Sequence, residues 1–408
     1  MNALETATSL QRLRHAWQSK KAKLRKSCFG VDRVAAGDFE RNLERELREL
    51  RYRFGAGFKP HGLLAILKPK PTGGSRVICV PTFADRLLQF SLLDQLRPKF
   101  SAMGIENTVS YGLAPGAERS VVGARKFACV ARARLPWVYK TDVQKFFDNI
   151  DRTVLEASLN RVVRQRSLLP LLKAFLHTEI LGGLDPDWRA ATAKNGILPG
   201  RGVRQGMPLS PFYAGVYLRD IDRFLMRSHA ATARYVDDIA SFFATEQEAL
   251  NFHAALKLQL GRLDLNIGDP GEPGSKTIIY QPDQPAEFLG MELVLSSGTC
   301  QLQVGQRAID KIVERIHSGA SAAALLERKV SLTTMGTHFR NLQAGYLNAY
   351  DGAQNRDDLE AAMAKASRKA QRKVLVELFG EVGLMNLDAS QRSFAGLETG
   401  ARPSQSGS

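Results

Sequence analysis

The sequence predicts an α/β protein that ends in an all-helical module, and two observations carry that expectation. Helical patterns alternate with short apolar runs of strand length from about residue 60 to residue 300, and beyond Gly305 the pattern is helical throughout. With 408 residues, 44% of them hydrophobic, the chain can bury a sizeable core and hold two or three subdomains.

Residues 10–26 read as a basic helix in which Arg12, Arg14, Lys20, Lys21, Lys23, Arg25 and Lys26 occur with no acidic residue among them. Such a face suits phosphates, although a solvated helix face is the plainer reading. A second helix is expected after Asp38 as its N-cap, with Phe39, Leu43, Leu47 and Leu50 as its apolar stripe. Apolar runs at 63–67 and 77–80 enclose turn residues through Gly73 and Gly74, a hairpin signal flanked by Lys68, Lys70 and Arg76. A helix over 83–96 stops before Pro98, and a loop rich in Gly and Pro covers 110–116. Residues 137–141 read as a short buried strand that ends at Asp142.

Helical stretches are expected over most of 152–180, a glycine-rich loop over 196–206, and one helix from Pro208 to Met226. Residues 233–236 and 239–243 read as two strands joined by a tight acidic turn at Asp237 and Asp238. A helix over 247–260 and strands near Leu265, Ile278 and Phe288 complete the alternation. Ile309, Ile312, Val313 and Ile316 then make one helical stripe, and the polar, Gly- and Ser-rich residues 389–408 are expected to form a disordered tail.

Lys and Arg number 57 against 41 Asp and Glu, a formal charge of +16, which favours a polyanionic partner and puts nucleic acid first. Cys28, Cys79, Cys129 and Cys300 lie far apart and form no CxxC pair, so neither a zinc site nor a disulfide framework is indicated. No histidine pair has metal-ligand spacing. The chain lacks a run of about 18 apolar residues and an apolar N-terminal stretch, so a cytoplasmic protein with no membrane partner is expected.

A strand that ends in one carboxylate, beside a hairpin turn that presents two more, gathers three acids at one sheet edge. Cations must relieve their repulsion. Mg²⁺ suits the position because it takes oxygen ligands from a few carboxylates together with phosphates and water. Two such ions, about 3.5–4 Å apart, promote in-line displacement at phosphorus, which is nucleotidyl transfer. A lone Asp-Asp pair is ordinarily a solvated turn or a helix cap. Tyr235-Val236-Asp237-Asp238, however, sits between two apolar runs, where a solvated loop is out of place.

These residues resemble a known family. Tyr235-Val236-Asp237-Asp238 matches the YxDD motif of reverse transcriptases, and Thr141-Asp142-Val143-Gln144-Lys145-Phe146-Phe147-Asp148-Asn149-Ile150 resembles their preceding aspartate motif. Lys68, Pro69 and Lys70 through Arg76 to Pro81, Asp85, Arg86 and Gln89 resemble the fingers segment of bacterial and group II intron-type enzymes. Ser110-Tyr111-Gly112 with Pro115-Gly116 follows as it does there. The stretch from Gly202 through Gln205, Gly206 and Pro208 to Pro211 is similar to the family's QG motif. Ser275-Lys276-Thr277 and Phe288-Leu289-Gly290 resemble the last two palm motifs. The resemblance spans roughly residues 60 to 300, and several ordered motifs are far more specific than one.

The resemblance implies a right-hand polymerase with fingers, an α/β palm and a helical thumb. Residues 1–60 would form a basic helical extension, 61–135 the fingers, 136–300 the palm with finger insertions, and 301–388 a helical thumb or RNA-binding region. Asp142 and Asp237 would be the principal ligands of two Mg²⁺ ions, with Mn²⁺ as a substitute, Asp238 beside them and Val143 in the same metal set. Lys68, Lys70 and Arg76 would hold the triphosphate, with the choice of lysine open. Gln205 and Gly206 would meet nucleotide and template, while Arg204 stands where many relatives carry a different residue. Lys276 would contact phosphates or protonate pyrophosphate, a solvated lysine being the alternative. Phe147 would lie beneath the ribose and exclude a 2′-hydroxyl, with Phe146 in the core. Arg328, Lys329, Arg340, Lys365, Arg368, Lys369, Arg372 and Lys373 make the helical end basic, as a nucleic-acid surface or as solvated faces.

The expected partners are an RNA template, a structured noncoding RNA, the cDNA product and dNTPs; the oligomeric state is left open. The compact plan, with no retron-type Val-Thr-Gly signature and no maturase or endonuclease part, resembles standalone defence-associated bacterial enzymes that act against phage. The alternatives are a diversity-generating or domesticated group II-like enzyme, a catalytically silent nucleic-acid-binding polymerase fold, and an RNA-dependent RNA polymerase.

Overall fold

The apolar run after the acidic pair becomes the central strand of a sheet because it is covered on both faces. In the computed structural model Ile239, Ala240, Ser241, Phe242 and Phe243 are all buried. The structure describes residues 2–55, 57–70, 73–113, 118–228, 230–388 and 390–391. Its strands in chain order are β1 Leu63–Pro69, β2 Ser75–Val80, β3 Ser110–Tyr111, β4 Trp137–Asp142, β5 Ile180–Gly183, β6 Ala231–Tyr235, β7 Asp238–Phe243, β8 Ile278–Tyr280, β9 Ala286–Phe288, β10 Met291–Ser296 and β11 Thr299–Gln303. The described chain divides into two units, Met1–Ala131 with Leu135–Gln281, and Pro282–Ser408 with Arg132–Arg134.

In the first unit a five-stranded sheet runs β3-β6-β7-β4-β8 and a three-stranded sheet runs β2-β1-β5. β4 pairs antiparallel with β7 in a register that sets Asp142 opposite Asp238, and the β6–β7 hairpin sets Tyr235 opposite Asp238. The helix Phe83–Leu96 is buried around most of its circumference: Leu87, Leu88, Leu92 and Leu96 are inaccessible, and the polar Asp85, Arg86, Gln89 and Ser91 are enclosed with them. Near it the aromatic rings of Trp17 and Phe39 lie 5.4 Å apart and those of Phe39 and Phe83 5.6 Å apart, which ties the N-terminal helix Leu10–Leu24 into the core.

The expected mixed α/β architecture is present, with local differences. Asp38 is not an N-cap: the helix Ala36–Arg41 begins earlier, Asp38 lies in its first turn paired with Arg41, and Leu43–Gly55 forms a separate helix. The expected helix from Pro208 to Met226 is two, Ser210–Tyr217 and Arg219–Arg227, meeting at Leu218. Residues near Leu265 form no strand; Leu265 and Ile267 are apolar because they are buried, and Asn266 accepts a backbone bond from Gln144 at 2.9 Å. Ile180 opens β5, which pairs parallel with β1, and Ser110 and Tyr111 leave the expected loop to pair parallel with β6. Pro115 and Gly116 lie outside the described residues, as does the expected tail over 389–408 apart from Ser390 and Gln391.

In the second unit β11-β10-β9 forms an antiparallel meander followed by the helices Gln306–Ser318, Ala322–Glu327, Leu332–Ala349 and Arg356–Met385. Ile309, Ile312 and Ile316 are buried as expected, with Phe339, Leu359, Met363 and Val374 in the same core. The long last helix breaks locally at Gly380, whose φ of +76° is outside the helical region. The three strands before Gly305 belong with these helices, whereas the sequence reading divided the chain after residue 300. No described helix is long and apolar enough to cross a membrane.

The glycine-rich segment 196–206 is held by an ion triad in which two buried arginines, Arg152 and Arg204, share the half-buried carboxylate of Glu179, an arrangement with no local signal in the sequence. Arg152 Nη1 donates to Glu179 Oε1 at 2.7 Å and its Nε to the Gly202 carbonyl at 2.8 Å. Arg204 Nη2 donates to Glu179 Oε2 at 2.6 Å and to the Leu198 carbonyl at 2.7 Å. Arg204, which stands where many relatives carry a different residue, is therefore 2% exposed and turned inward. Burial works to raise the Glu179 carboxyl, but the Gly200 amide and the Arg204 guanidinium outweigh it and hold the group below its ordinary 4.5.

Removing Glu179 strands two buried guanidinium groups, so Glu179→Ala should cost about 3–5 kcal/mol. Urea unfolding followed by tryptophan fluorescence measures this, since Trp17, Trp137 and Trp188 all lie in the first unit. The depressed carboxyl contributes its full stability above its ordinary 4.5 and loses it as pH falls through its lower folded value. The stability difference between wild type and Glu179→Gln should therefore shrink in acid.

Candidate active site

β4 ends at Asp142, and the β6–β7 hairpin turns through Val236 and Asp237, because Tyr235 and Asp238 are already paired strand residues. Val236 has a φ of +60°, a positive value at the first central position as in a type II′ turn, where glycine is the usual residue. For a β-branched residue this is a genuine outlier. The turn is joined to the segment after β4 by the Val143 amide, which donates to the Asp237 carbonyl at 3.3 Å. Asp142 and Asp237 are thereby brought side by side.

Their proximity is visible in the electrostatics. Burial first, and the Asp142 charge second, push the Asp237 carboxyl up to about 6, while Lys276 acts in the opposite direction. The Lys276 ammonium donates directly to Asp142 Oδ2. A cation thus already sits against the carboxylate pair, which fits a donor set suited to hard cations.

The two carboxylates face a cavity of about 470 Å³ that also presents Val143, Lys276, Phe147, Gln205, Lys70 and Arg76. Asp238, expected as a third acid, is paired with Asp142 across β4 and β7 but is not among the residues that line this cavity. Accordingly, no group of three His, Cys, Asp or Glu side chains among the described residues is disposed to hold a metal. Two carboxylates with bound phosphates still satisfy the requirements of Mg²⁺.

Of the basic hairpin residues, Lys70 and Arg76 reach the cavity, and Lys70 Nζ lies 3.3 Å from Asn195 Oδ1. Lys68 is exposed and does not line it. Phe146 is buried at 1% exposure and Phe147 is half-buried against the cavity. Their separation comes from a single helical turn, Phe146–Asn149, entered through Lys145 at φ +47°, and not from strand alternation. Asp148, Lys145 and Asn195 also line the cavity and were not singled out from the sequence. Burial pushes the Asp148 carboxyl up, with Arg204, Lys145 and Lys70 opposing.

Gln205 faces the cavity, whereas Gly206 does not. Gly206 has φ +110°, and a Cβ there would stand 2.7 Å from the Cys79 carbonyl, beside the 2.7 Å bond from the Cys79 amide to the Gln205 carbonyl. The glycine therefore serves the close packing of this loop on β2.

The basic segments are only partly available to a ligand. On the N-terminal helix Arg14 pairs with Glu44 at 2.6 Å, and Lys21 and Arg25 pair with Glu40 at 2.5 and 2.8 Å. Lys20 lies 5.9 Å from the Phe90 ring centroid. Arg12, Lys23 and Lys26 are exposed and enter no ion pair among the described residues. Arg368, Lys369, Arg372 and Lys373 are exposed on the last helix, opposite buried Ala366, Ala370 and Val374, with Arg372 paired to Glu381.

Comparison with known proteins gives this site a family. The family described as reverse transcriptase (RNA-dependent DNA polymerase) matches residues 66–293, more than half of the chain. Protein YkfC of Escherichia coli (strain K12) is 28% identical over 203 residues, covering 48% of this chain and 49% of that protein. The group II intron-encoded protein LtrA of Lactococcus lactis subsp. cremoris is 27% identical over 152 residues, covering 37% of this chain and 23% of that protein. The chain thus spans about half or less of the length of these curated relatives. Among solved structures, similarity extends to a partial Cas6-RT-Cas1–Cas2 complex (20% identity, TM-score 0.37, 64% of this chain and 42% of that one). It also extends to telomerase from Candida albicans in complex with a telomeric RNA fragment (12% identity, TM-score 0.41, 87% and 69%). By the family match across both aspartate-bearing segments, this chain belongs to the reverse transcriptase family.

Proposed function

We propose that the chain is an RNA-directed DNA polymerase whose reaction centre is the Asp142–Asp237 cavity. The observation that carries this reading is the convergence of two carboxylates on a cavity that also presents an aromatic ring and basic side chains. In this reading the β2-β1-β5 sheet belongs to the fingers, the five-stranded sheet to the palm and the helices of the second unit to the thumb.

Asp142 and Asp237, with the Val143 carbonyl, would hold divalent ions, Mg²⁺ or Mn²⁺. When bound, such ions favour deprotonation of the primer 3′-hydroxyl and stabilise the departing pyrophosphate. The 3′-oxygen bonds to the α-phosphorus as the bond to the β-phosphate bridging oxygen breaks. Lys70 and Arg76 orient the triphosphate by charge-assisted hydrogen bonds. Lys276, released from Asp142 once cations replace it, faces the same cavity and can give a proton to the pyrophosphate. The Phe147 ring closes the space beneath the sugar, so a ribonucleotide suffers a clash and a buried, unpaired hydroxyl worth about 1–3 kcal/mol.

The exposed Arg12, Lys23, Lys26, Arg368, Lys369 and Lys373 supply phosphate contacts for an RNA template, with cDNA as product and dNTPs as substrates. We further propose a structured noncoding RNA as the template and antiphage defence as the setting. This part rests on the sequence resemblance alone.

Asp142→Ala or Asp237→Asn should abolish incorporation of labelled dNTP into a primed RNA template. Neither should lower the melting temperature appreciably, because each removes a repulsion and no core packing, and the Lys276–Asp142 pair that Asp142→Ala also removes has an exposed lysine. Incorporation at the wild-type rate by either variant would reject the metal assignment, and a strain carrying Asp237→Asn that still restricts phage plaques would reject catalytic defence.

Phe147→Val should retain activity but admit ribonucleotides at least 10-fold more readily, about what a buried unpaired hydroxyl is worth. Competition between dGTP and rGTP in primer extension measures this, and a wild type that uses both equally would favour an RNA polymerase instead.

RNA affinity should fall steeply with salt. Neutralising Arg12, Lys23 and Lys26 together should flatten that slope, whereas neutralising the paired Arg14, Lys21 and Arg25 should change it less. Filter binding across a salt series separates the two sets.

A further inference from the structure

Behind the catalytic turn lies a buried charged side chain that the proposed chemistry does not use. Arg234, the residue before Tyr235, is 1% exposed and Asp222 is fully buried. Arg234 Nε donates to Asp222 Oδ1 at 2.5 Å and Nη2 to Oδ2 at 2.6 Å, a bidentate pair. Asp222 also accepts from Asn107 Nδ2 at 2.9 Å, and Arg234 Nη2 donates to Ser110 Oγ at 2.9 Å. The remaining arm, Nη1, donates at 2.8 Å to the carbonyl of Val236, the residue whose φ is +60°.

We propose that Arg234 is a positioning residue for nucleotidyl transfer: its guanidinium, neutralised by Asp222, clamps the Val236 carbonyl and so fixes the strained turn that presents Asp237. Three features support the assignment. A turn with a β-branched residue at positive φ persists only where its surroundings over-determine it. Only a planar guanidinium can engage a carboxylate with one edge and a third acceptor with another arm, since a lysine offers one compact charge. The same network gives the Ser110-Tyr111-Gly112 segment a role: Ser110 and Tyr111 pair in register with Arg234 and Tyr235. At Gly112 a Cβ would stand 2.7 Å from the Tyr235 ring. The residues flanking the turn are thus packed and hydrogen-bonded from the side opposite the partner strand of the hairpin.

The proposal rests on the polymerase reading for its activity arm only, and the full chain is used throughout. Arg234→Lys keeps a charge facing Asp222 but loses the fork. Arg234→Met with Asp222→Leu removes the charge pair and leaves no buried ion, so the fold should hold as well as in wild type. Both should lower kcat for primer extension about 10²-fold, the effect of a small misplacement of a catalytic group, with the dNTP KM little changed. Both should also speed hydrogen exchange at the amides of residues 235–238. Adding Val236→Gly, which makes the positive φ unstrained, should recover at least 10-fold of the lost kcat in either background. Wild-type kcat in the thermally stable Met/Leu variant, unchanged exchange at the turn, or no recovery with glycine would each overturn the clamp. If wild type itself does not extend a primer on RNA, the polymerase reading fails, and the exchange measurement alone still decides whether Arg234 holds the turn.

Discussion

Two like charges held side by side at the end of a buried sheet are the constraint around which the first unit is built. Asp142 closes β4 and Asp237 occupies a turn between two strands, and neither position is left to side-chain choice. The register of β4 on β7 fixes their separation, and a slip of β4 by one residue would turn Asp142 to the other face of the sheet, away from Asp237. The cost of the arrangement appears in the raised Asp237 carboxyl, and Lys276 offsets part of it. A site that repels itself needs rigid support, which explains why the strand behind it is buried on both faces and why the turn is braced.

That support extends to the loop facing the carboxylates. The Gly202 amide bonds to the Ile150 carbonyl at 2.9 Å and the Val203 amide to the Phe147 carbonyl at 2.7 Å, so residues 202–203 hold the segment that carries Phe147. Gly202 has φ +76°, and a Cβ there would stand 2.7 Å from the Asp148 carbonyl. The Arg152–Glu179–Arg204 triad then anchors this loop to β5. Position of the aromatic ring, loop conformation and buried charge are therefore one connected problem.

Most of the frame was legible from the sequence because its signals are local. The apolar runs of β1, β2, β4 and β7, the helix Phe83–Leu96 and the stripe of Ile309, Ile312 and Ile316 each have one dominant period or composition. Of the site, Asp142, Asp237, Phe147, Lys70, Arg76, Gln205 and Lys276 were singled out and share one cavity. What was not legible depends on partners distant in sequence. Glu179 pairs with residues 27 and 25 positions away, and Arg14, Lys21 and Arg25 meet acids on other helices. Leu265 was misread as a strand because burial alone makes a segment apolar. Asp237 and Asp238 are neighbours in sequence, but one lies in the turn and the other opens β7, and only the first lines the cavity.

The charge inventory of the cavity bears on how a substrate enters. Lys70, Arg76, Lys145 and Lys276 face Asp142, Asp237 and Asp148, so the walls carry four cations against three carboxyl groups. A nucleoside triphosphate brings about four negative charges and two divalent ions bring four positive ones, so together they leave this balance nearly unchanged. Either component alone shifts it by about four charges in a partly dehydrated space, where such an imbalance is costly. On the proposed reaction, nucleotide and metal therefore favour each other's entry. The ammonium of Lys276 offsets the repulsion of the two carboxylates, a role that the ions would take over on that reaction. On that reading the raised carboxyl at Asp237 and the Lys276–Asp142 bond have one origin, a cavity whose carboxylates are held together by a side-chain cation where metal ions and phosphates would enter together.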